Sequence, residues 1–157
     1  MLGSTGLQFT IGVGELPDDT FSVYEFDITE ALSEVFTLDL TAFSKASHIA
    51  PSEVLEQEII LRIYQDEQLL RQFRGVVAEF SRGAAGHHRT RYEMIVRPPL
   101  WRLGIGRNSR IFQHKDTEVI VRELLEEYAV VGTRFDLNRK PEEREYCVQY
   151  RESDLAF

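Results

Sequence analysis

The sequence predicts a mainly β fold with one α-helix, its bent antiparallel strands closing into a small barrel. Three observations carry this. Apolar and polar residues alternate in short segments through the first two-thirds of the chain. One of these segments, Leu69 to Arg82, is long and changes phase at Gly75, as a bulged or sharply bent barrel strand does. Only the stretch after Asp116 has helical spacing. At 157 residues and 43% hydrophobic, the chain can bury a real core.

Taken in order, Leu7 to Ile11 alternates, and Gly12, Gly14, Pro17, Asp18 and Asp19 supply the turn after it. Phe21 to Ile28 alternates next, with Tyr24, Phe26 and Ile28 on one face. In Glu34 to Ser44, Phe36, Leu38, Leu40 and Ala42 oppose Thr37, Asp39 and Thr41, the pattern of a half-buried antiparallel strand. A polar connection with Pro51 and one helical turn near Ser52 to Leu55 leads to a strand over Glu58 to Tyr64. Asp66-Glu67 turns the chain into the long strand. Gly83 to Gly86 turns it again, and Thr90, Tyr92, Met94 and Val96 form the apolar face of the return strand.

Pro98-Pro99 ends that strand, because proline lacks the ladder donor. Leu100-Trp101-Arg102-Leu103 makes a short irregular or helical segment, with Trp101 as a structural anchor. Asp116 is the N-cap of the helix, whose apolar stripe is Val119, Ile120, Leu124, Leu125 and Tyr128. Thr133 to Leu137 is a short strand candidate. Finally, Tyr146, Val148 and Tyr150 alternate with Cys147, Gln149 and Arg151, running into Glu152-Ser153-Asp154, a helix-start signal expected to continue for several turns.

Composition excludes several function classes. A formal charge of −8, from 26 acids and 18 bases, opposes general nucleic-acid binding. Arg71, Arg74, Arg82, Arg89 and Arg91 fall in one hairpin but are interspersed with Glu79 and Glu93. Cys147 is the only cysteine, so no disulfide forms within the chain. The first residues have neither a basic n-region nor an apolar h-region, and no run reaches membrane-spanning length, so neither a signal peptide nor a membrane anchor is expected.

The residues for chemistry do not assemble. His48, His87, His88 and His114 have no metal-ligand spacing, and adjacent His87 and His88 point to opposite sides of a strand. Gly12-Val13-Gly14 and Gly104-Ile105-Gly106 read as turns rather than phosphate loops. Glu123 and Glu127 share the solvated face of the helix. No catalytic, cofactor or metal site is expected.

The run Asn108-Ser109-Arg110-Ile111-Phe112-Gln113, the helix after Asp116, and Arg144 through Asp154 together resemble the N-terminal part of VgrG proteins, the spike of the bacterial type VI secretion system. Leu32-Ser33, Phe73-Arg74-Gly75-Val76-Val77 and Pro99 to Leu103 add to the likeness. The resemblance implies a barrel of the phage tail-hub type over 1–144, its helix inserted at about 116–128, and the start of an incomplete second barrel over 145–157. It implies a non-enzymatic hub that trimerises, caps a hexameric tube beside baseplate components, and delivers effectors through segments beyond these residues. It also implies assembly in the cytoplasm and export by the machine without a signal peptide. By family position, Arg110, Ile111, Phe112, Gln113, Gln149, Tyr150, Glu152, Ser153 and Asp154 are interface candidates, with Gly75 structural. Gln149, Glu152 and Ser153 equally suit capping of backbone groups at the strand-to-helix join. Three alternatives remain: a phage or tailocin baseplate hub of the late-control D type, a small-ligand-binding barrel, which a preformed pocket would favour, and an enzyme acting on cell-wall glycan, which would need a carboxylate pair about 5 to 9 Å apart across a cleft.

Overall fold

The computed structural model describes residues 6–86 and 88–157 and divides into two compact units, 1–98 and 99–157. The break between these units falls at Pro98-Pro99. The proline pair ends the last strand of the first sheet.

The first unit is one six-stranded antiparallel sheet. Its strands are β1 (Leu7–Val13), β2 (Ser22–Thr29), β3 (Thr37–Ser44), β4 (Glu58–Gln65), β5 (Gln68–Ala85) and β6 (Thr90–Arg97), in the order β1-β4-β5-β6-β3-β2. The sheet curls until its two edges meet. Phe9 on β1 and Phe26 on β2 touch edge to face with ring centroids 5.2 Å apart, although β1 and β2 are not neighbours in the hydrogen-bonded order. The curl encloses the expected apolar faces: Leu38, Leu40 and Ala42 of β3, and Tyr92, Met94 and Val96 of β6, are all buried. Tyr92 stacks on Phe80 at 5.4 Å, meets Phe21 edge-on at 5.7 Å, and satisfies its hydroxyl on the Ala46 carbonyl at 3.1 Å.

The long strand β5 makes the curl possible by serving two partners. Gln68 to Val76 pairs with β4, and Val76 to Ala85 pairs with β6. Gly75 sits at the handover. Its register opposite Ile59 is unbroken, so the phase change read at Gly75 belongs elsewhere: the ladder slips between Val77 and Glu79. Gly75 is needed for close approach instead. A Cβ there would lie 2.7 Å from the Arg97 carbonyl oxygen and 2.8 Å from Val96 Cγ1. A second slip, between Val23 and Glu25, turns Tyr24 outward against Phe43, so Tyr24 does not share the inward face of Phe26 and Ile28. Three of the five hairpin arginines are ion-paired: Arg71 with Glu30, Arg74 with Glu58 at 2.8 Å, and Arg91 with Glu93 at 2.9 Å. β5 runs on to Ala85, through residues expected to turn, and His87 lies outside the described residues.

The second unit opens with a 3-10 helix, Pro99–Gly104, which holds the partly buried Trp101. It continues with β7 (Asn108–Lys115), α1 (Thr117–Glu127) and β8 (Arg144–Glu152). β7 and β8 form a two-stranded antiparallel ribbon with Ile111 opposite Val148. Helix α1 lays Ile120, Leu124 and Leu125 against Phe112 and Leu103. Thr133 to Leu137 has no strand ladder; only Phe135 from this stretch reaches the apolar cluster. Asp116 caps the helix as expected, its Oδ1 accepting the Val119 N–H at 2.9 Å. Asp116→Ala should therefore cost about 1 kcal/mol, read as a lower denaturation midpoint at unchanged slope.

Candidate functional site

The polar centre of the second unit is Asp154, which no sequence pattern marks as buried. Its side chain is fully shielded from solvent. Four groups converge on the two carboxylate oxygens. Arg110 Nη2 donates at 2.6 Å and Gln149 Nε2 at 2.7 Å, both to Oδ1; the Tyr128 hydroxyl donates at 2.6 Å to Oδ2; and Asn108 Nδ2 reaches both oxygens, at 3.1 and 2.9 Å. Gln149, also buried, accepts from Arg110 Nε at 2.9 Å and donates to the Glu152 carbonyl at 3.2 Å. Arg110 completes its fork on Glu127 at 2.8 Å.

The local fold explains the convergence. Arg110 and Gln149 face each other across the β7–β8 ladder, and Asn108 lies two residues along the same face of β7. Tyr128 is the C-cap residue of α1, and Asp154 follows β8 at the start of a turn. Burial by itself would raise the Asp154 pKa. The hydrogen bonds from Tyr128, Gln149, Arg110 and Asn108 outweigh burial and hold the carboxyl well below the usual carboxylate range. The bond to Asp154, with burial second, pushes the Tyr128 hydroxyl up. Arg110 is likewise raised: burial opposes its charge, but Glu127 and Asp154 more than compensate.

This arrangement binds three elements together and leaves the carboxylate fully engaged. It can lock a ribbon, a helix end and a terminal turn in one geometry. It is not arranged for proton transfer, which needs an acid or base with a free position toward a substrate. Among the described residues no group of three His, Cys, Asp or Glu side chains could hold a metal.

The expected interface residues separate into four sets. Arg110, Gln149 and Asp154 are internal. Phe112 is buried and stacks on Phe157 at 5.7 Å. Ile111 and Tyr150 are 63% and 67% exposed and face outward with Tyr146 and Val148; Gln113 is exposed too. The remaining pair satisfies backbone groups: Glu152 Oε1 takes the Tyr150 N–H at 3.2 Å, and Ser153 Oγ takes the Ala156 N–H at 3.2 Å. Ser153, not Asp154, thus holds the capping position, and the Phe157 N–H reaches the Ser153 carbonyl at 3.0 Å in a first α-type turn. Sequence reasoning missed Tyr128 and Glu127, which looked like an apolar-stripe residue and a solvated carboxylate. Glu123 is not free in solvent either, since Lys115 donates to it at 2.8 and 2.6 Å. Beside the network an apolar groove of about 410 Å³ is lined by Leu100, Leu103, Ile120, Leu124, Leu155 and Phe157.

Comparison with known proteins places this architecture among tail-hub folds. The chain belongs to the phage tail baseplate hub (GPD) family, whose profile matches residues 29–157. It is 35% identical over 160 residues to the actin cross-linking toxin VgrG1 of Vibrio cholerae, covering 96% of this chain and 15% of that protein. It is 38% identical over 146 residues to the type VI secretion system spike protein VgrG2b of Pseudomonas aeruginosa, covering 93% of this chain and 14% of that one. The chain thus spans under a fifth of the length of these relatives. Among solved structures it is similar to the E. coli c3393 protein, described as a type VI secretion component resembling the T4 tail proteins gp27 and gp5. That match has a TM-score of 0.80 at 28% identity, over 92% of this chain and 40% of that one. The 43 kDa tail protein of prophage MuSo2 from Shewanella oneidensis shares the fold alone, at a TM-score of 0.61 and 13% identity, over 96% of this chain and 46% of that one. No helix among the described residues is long and apolar enough to cross a membrane.

Proposed function

We propose that this chain is part of the base of a type VI secretion spike, where it works by assembly and not by catalysis. The observation that carries this is the match to the E. coli c3393 protein over 92% of the chain. In this reading three copies form a ring on which the hexameric tube stacks beside baseplate components. Effectors travel on other parts of the spike. The protein assembles in the cytoplasm and leaves with the machine. Symmetric closure suits such a part, because a threefold ring meets a sixfold tube when each subunit supplies two similar units. The first unit supplies one hub-type barrel, and the β7–β8 ribbon begins the second. The saturated Asp154 network supports a scaffold role, since it spends its donors on geometry.

The shared fold with a prophage tail protein supports a second reading, a phage or tailocin hub. Light scattering of the whole protein that contains this segment, with and without the purified tube protein of the secretion machine, tests the first reading. A three-copy mass that binds tube rings is expected. A monomer that ignores the tube would overturn the proposal, and a trimer binding only a phage tube would favour the second reading.

A further inference from the structure

The outward face of the first unit breaks a rule of sheet pairing. On β2, Glu25 and Asp27 alternate with the inward Phe26 and Ile28; on β3, Asp39 stands between the buried Leu38 and Leu40. The register sets Asp27 directly opposite Asp39, and like charges in that position destabilise a sheet. Glu25, Asp27 and Asp39 are exposed and carry no ion pair among the described residues. The same rows continue across β6 and β5 to Glu93 and Glu79, so five carboxylates line one hollow of about 490 Å³. Arg91 holds Glu93, and Arg97 lies 3.8 Å from Glu79, which leaves the charge on the β2–β3 side unbalanced. A pairing rule broken without local compensation is the mark of a functional surface.

The opposite charge stands elsewhere in the same unit. The ladder of β4 on β5 ends at Val76 and that of β3 on β6 at Thr90, so the tip of the β5–β6 hairpin runs beyond its neighbours. Arg82 and Arg89 flank this tip. Both are exposed and have no ion pair among the described residues, unlike the other three hairpin arginines. Gly83, Ala84, Ala85 and Gly86 follow Arg82 and are too small to screen it.

We propose that the β5–β6 tip of one copy docks on the acidic β2–β3–β6–β5 face of the next, where Arg82 and Arg89 take up Glu25, Asp27 and Asp39. A guanidinium suits this face, because its planar fork can bridge two carboxylates that stand side by side. The contact relieves the Asp27–Asp39 repulsion and neutralises the tip in one step. Tip and face are different surfaces, so the contact runs head to tail, and such a contact closes as a ring where the rotation allows. The inference rests on the threefold hub reading for its closure, and deepens it by naming the surfaces that neighbouring copies share.

Sedimentation velocity of the 157-residue chain at about 0.1 M and about 1 M salt tests it. Species larger than one 18.2 kDa copy should form reversibly at the lower salt and recede at the higher. Arg82→Glu with Arg89→Glu should weaken association about tenfold or more, and so should Glu25→Arg with Asp39→Arg. The second pair also turns the Asp27–Asp39 clash into an opposite-charge pair, so its denaturation midpoint should hold or rise while its association falls. A face needed only for folding would move both together. All four substitutions in one chain should restore association. A chain that stays monomeric at the lower salt, association indifferent to either pair, or a combined variant that fails to restore it overturns the proposal. If the whole protein then still gives a three-copy mass that binds tube rings, the hub reading stands and only this contact falls. Charge-dependent association in a whole protein that ignores the tube would do the reverse.

Discussion

Asp154→Ala should destabilise the second unit by about 3 kcal/mol, because it removes the buried acceptor on which four donors converge. The Tyr128 hydroxyl and Asn108 Nδ2 lose their acceptor outright, while Arg110 keeps Glu127 and Gln149 Nε2 keeps the Glu152 carbonyl. Hydrogen exchange resolves where the loss falls: amides of β7, α1 and β8 should exchange faster, while those of β3 and β6 keep their protection. A loss under 1 kcal/mol would mean that the network is decoration on a ribbon held by its apolar side.

The same group sets a pH dependence. Its folded-state pKa lies below the unfolded value of about 3.9, so the native state binds fewer protons than the unfolded chain in acid. The associated stability is fully present above about pH 5 and is lost progressively as pH falls toward the folded value. Asp154→Asn should therefore flatten the stability profile of the second unit between about pH 5 and 2, in addition to lowering it at neutral pH. Parallel profiles for the two proteins would contradict this assignment.

The second large effect belongs to Gly75. Gly75→Ala places a methyl group 2.7 Å from the Arg97 carbonyl oxygen, and that oxygen belongs to the backbone of β6, which cannot swing aside. Overpacking of this kind costs about 1 to 3 kcal/mol, and the rigid neighbour puts Gly75 at the upper end. Gly106→Ala is the control: nothing lies within 4 Å of its added Cβ, so stability should hold or rise slightly. Equal midpoints for the two variants in urea unfolding would show that β5 and β6 do not approach this closely.

The barrel was legible in the sequence because a curled antiparallel sheet buries one face of each strand. Leu38, Leu40 and Ala42, and Tyr92, Met94 and Val96, announce that face by period alone. Bulges were half legible. The change of phase along β5 is visible in the pattern, but glycine drew attention to Gly75 when the slip falls after Val77, where no unusual residue marks it. Tyr24 was misplaced for the same reason, since one extra residue in β2 reverses its side. The polar centre was hidden. Gln149 and Arg110 look like ordinary surface residues of alternating strands. Only the register of β7 on β8, with Tyr128 arriving from the end of a helix, turns them inward together. The outward turn of Tyr146, Val148 and Tyr150 follows from this, because burying Gln149 on one face sends its neighbours to the other.

A cryo-electron microscopy reconstruction of the whole protein bound to the end of its tube tests the central claim most directly. The account predicts three copies of the curled sheet, β1 to β6, arranged around the tube axis, each followed by a ribbon and helix joined through Asp154, with the tube's first ring seated on them. A map that places these residues away from the tube end, or with no threefold relation among copies, would contradict it.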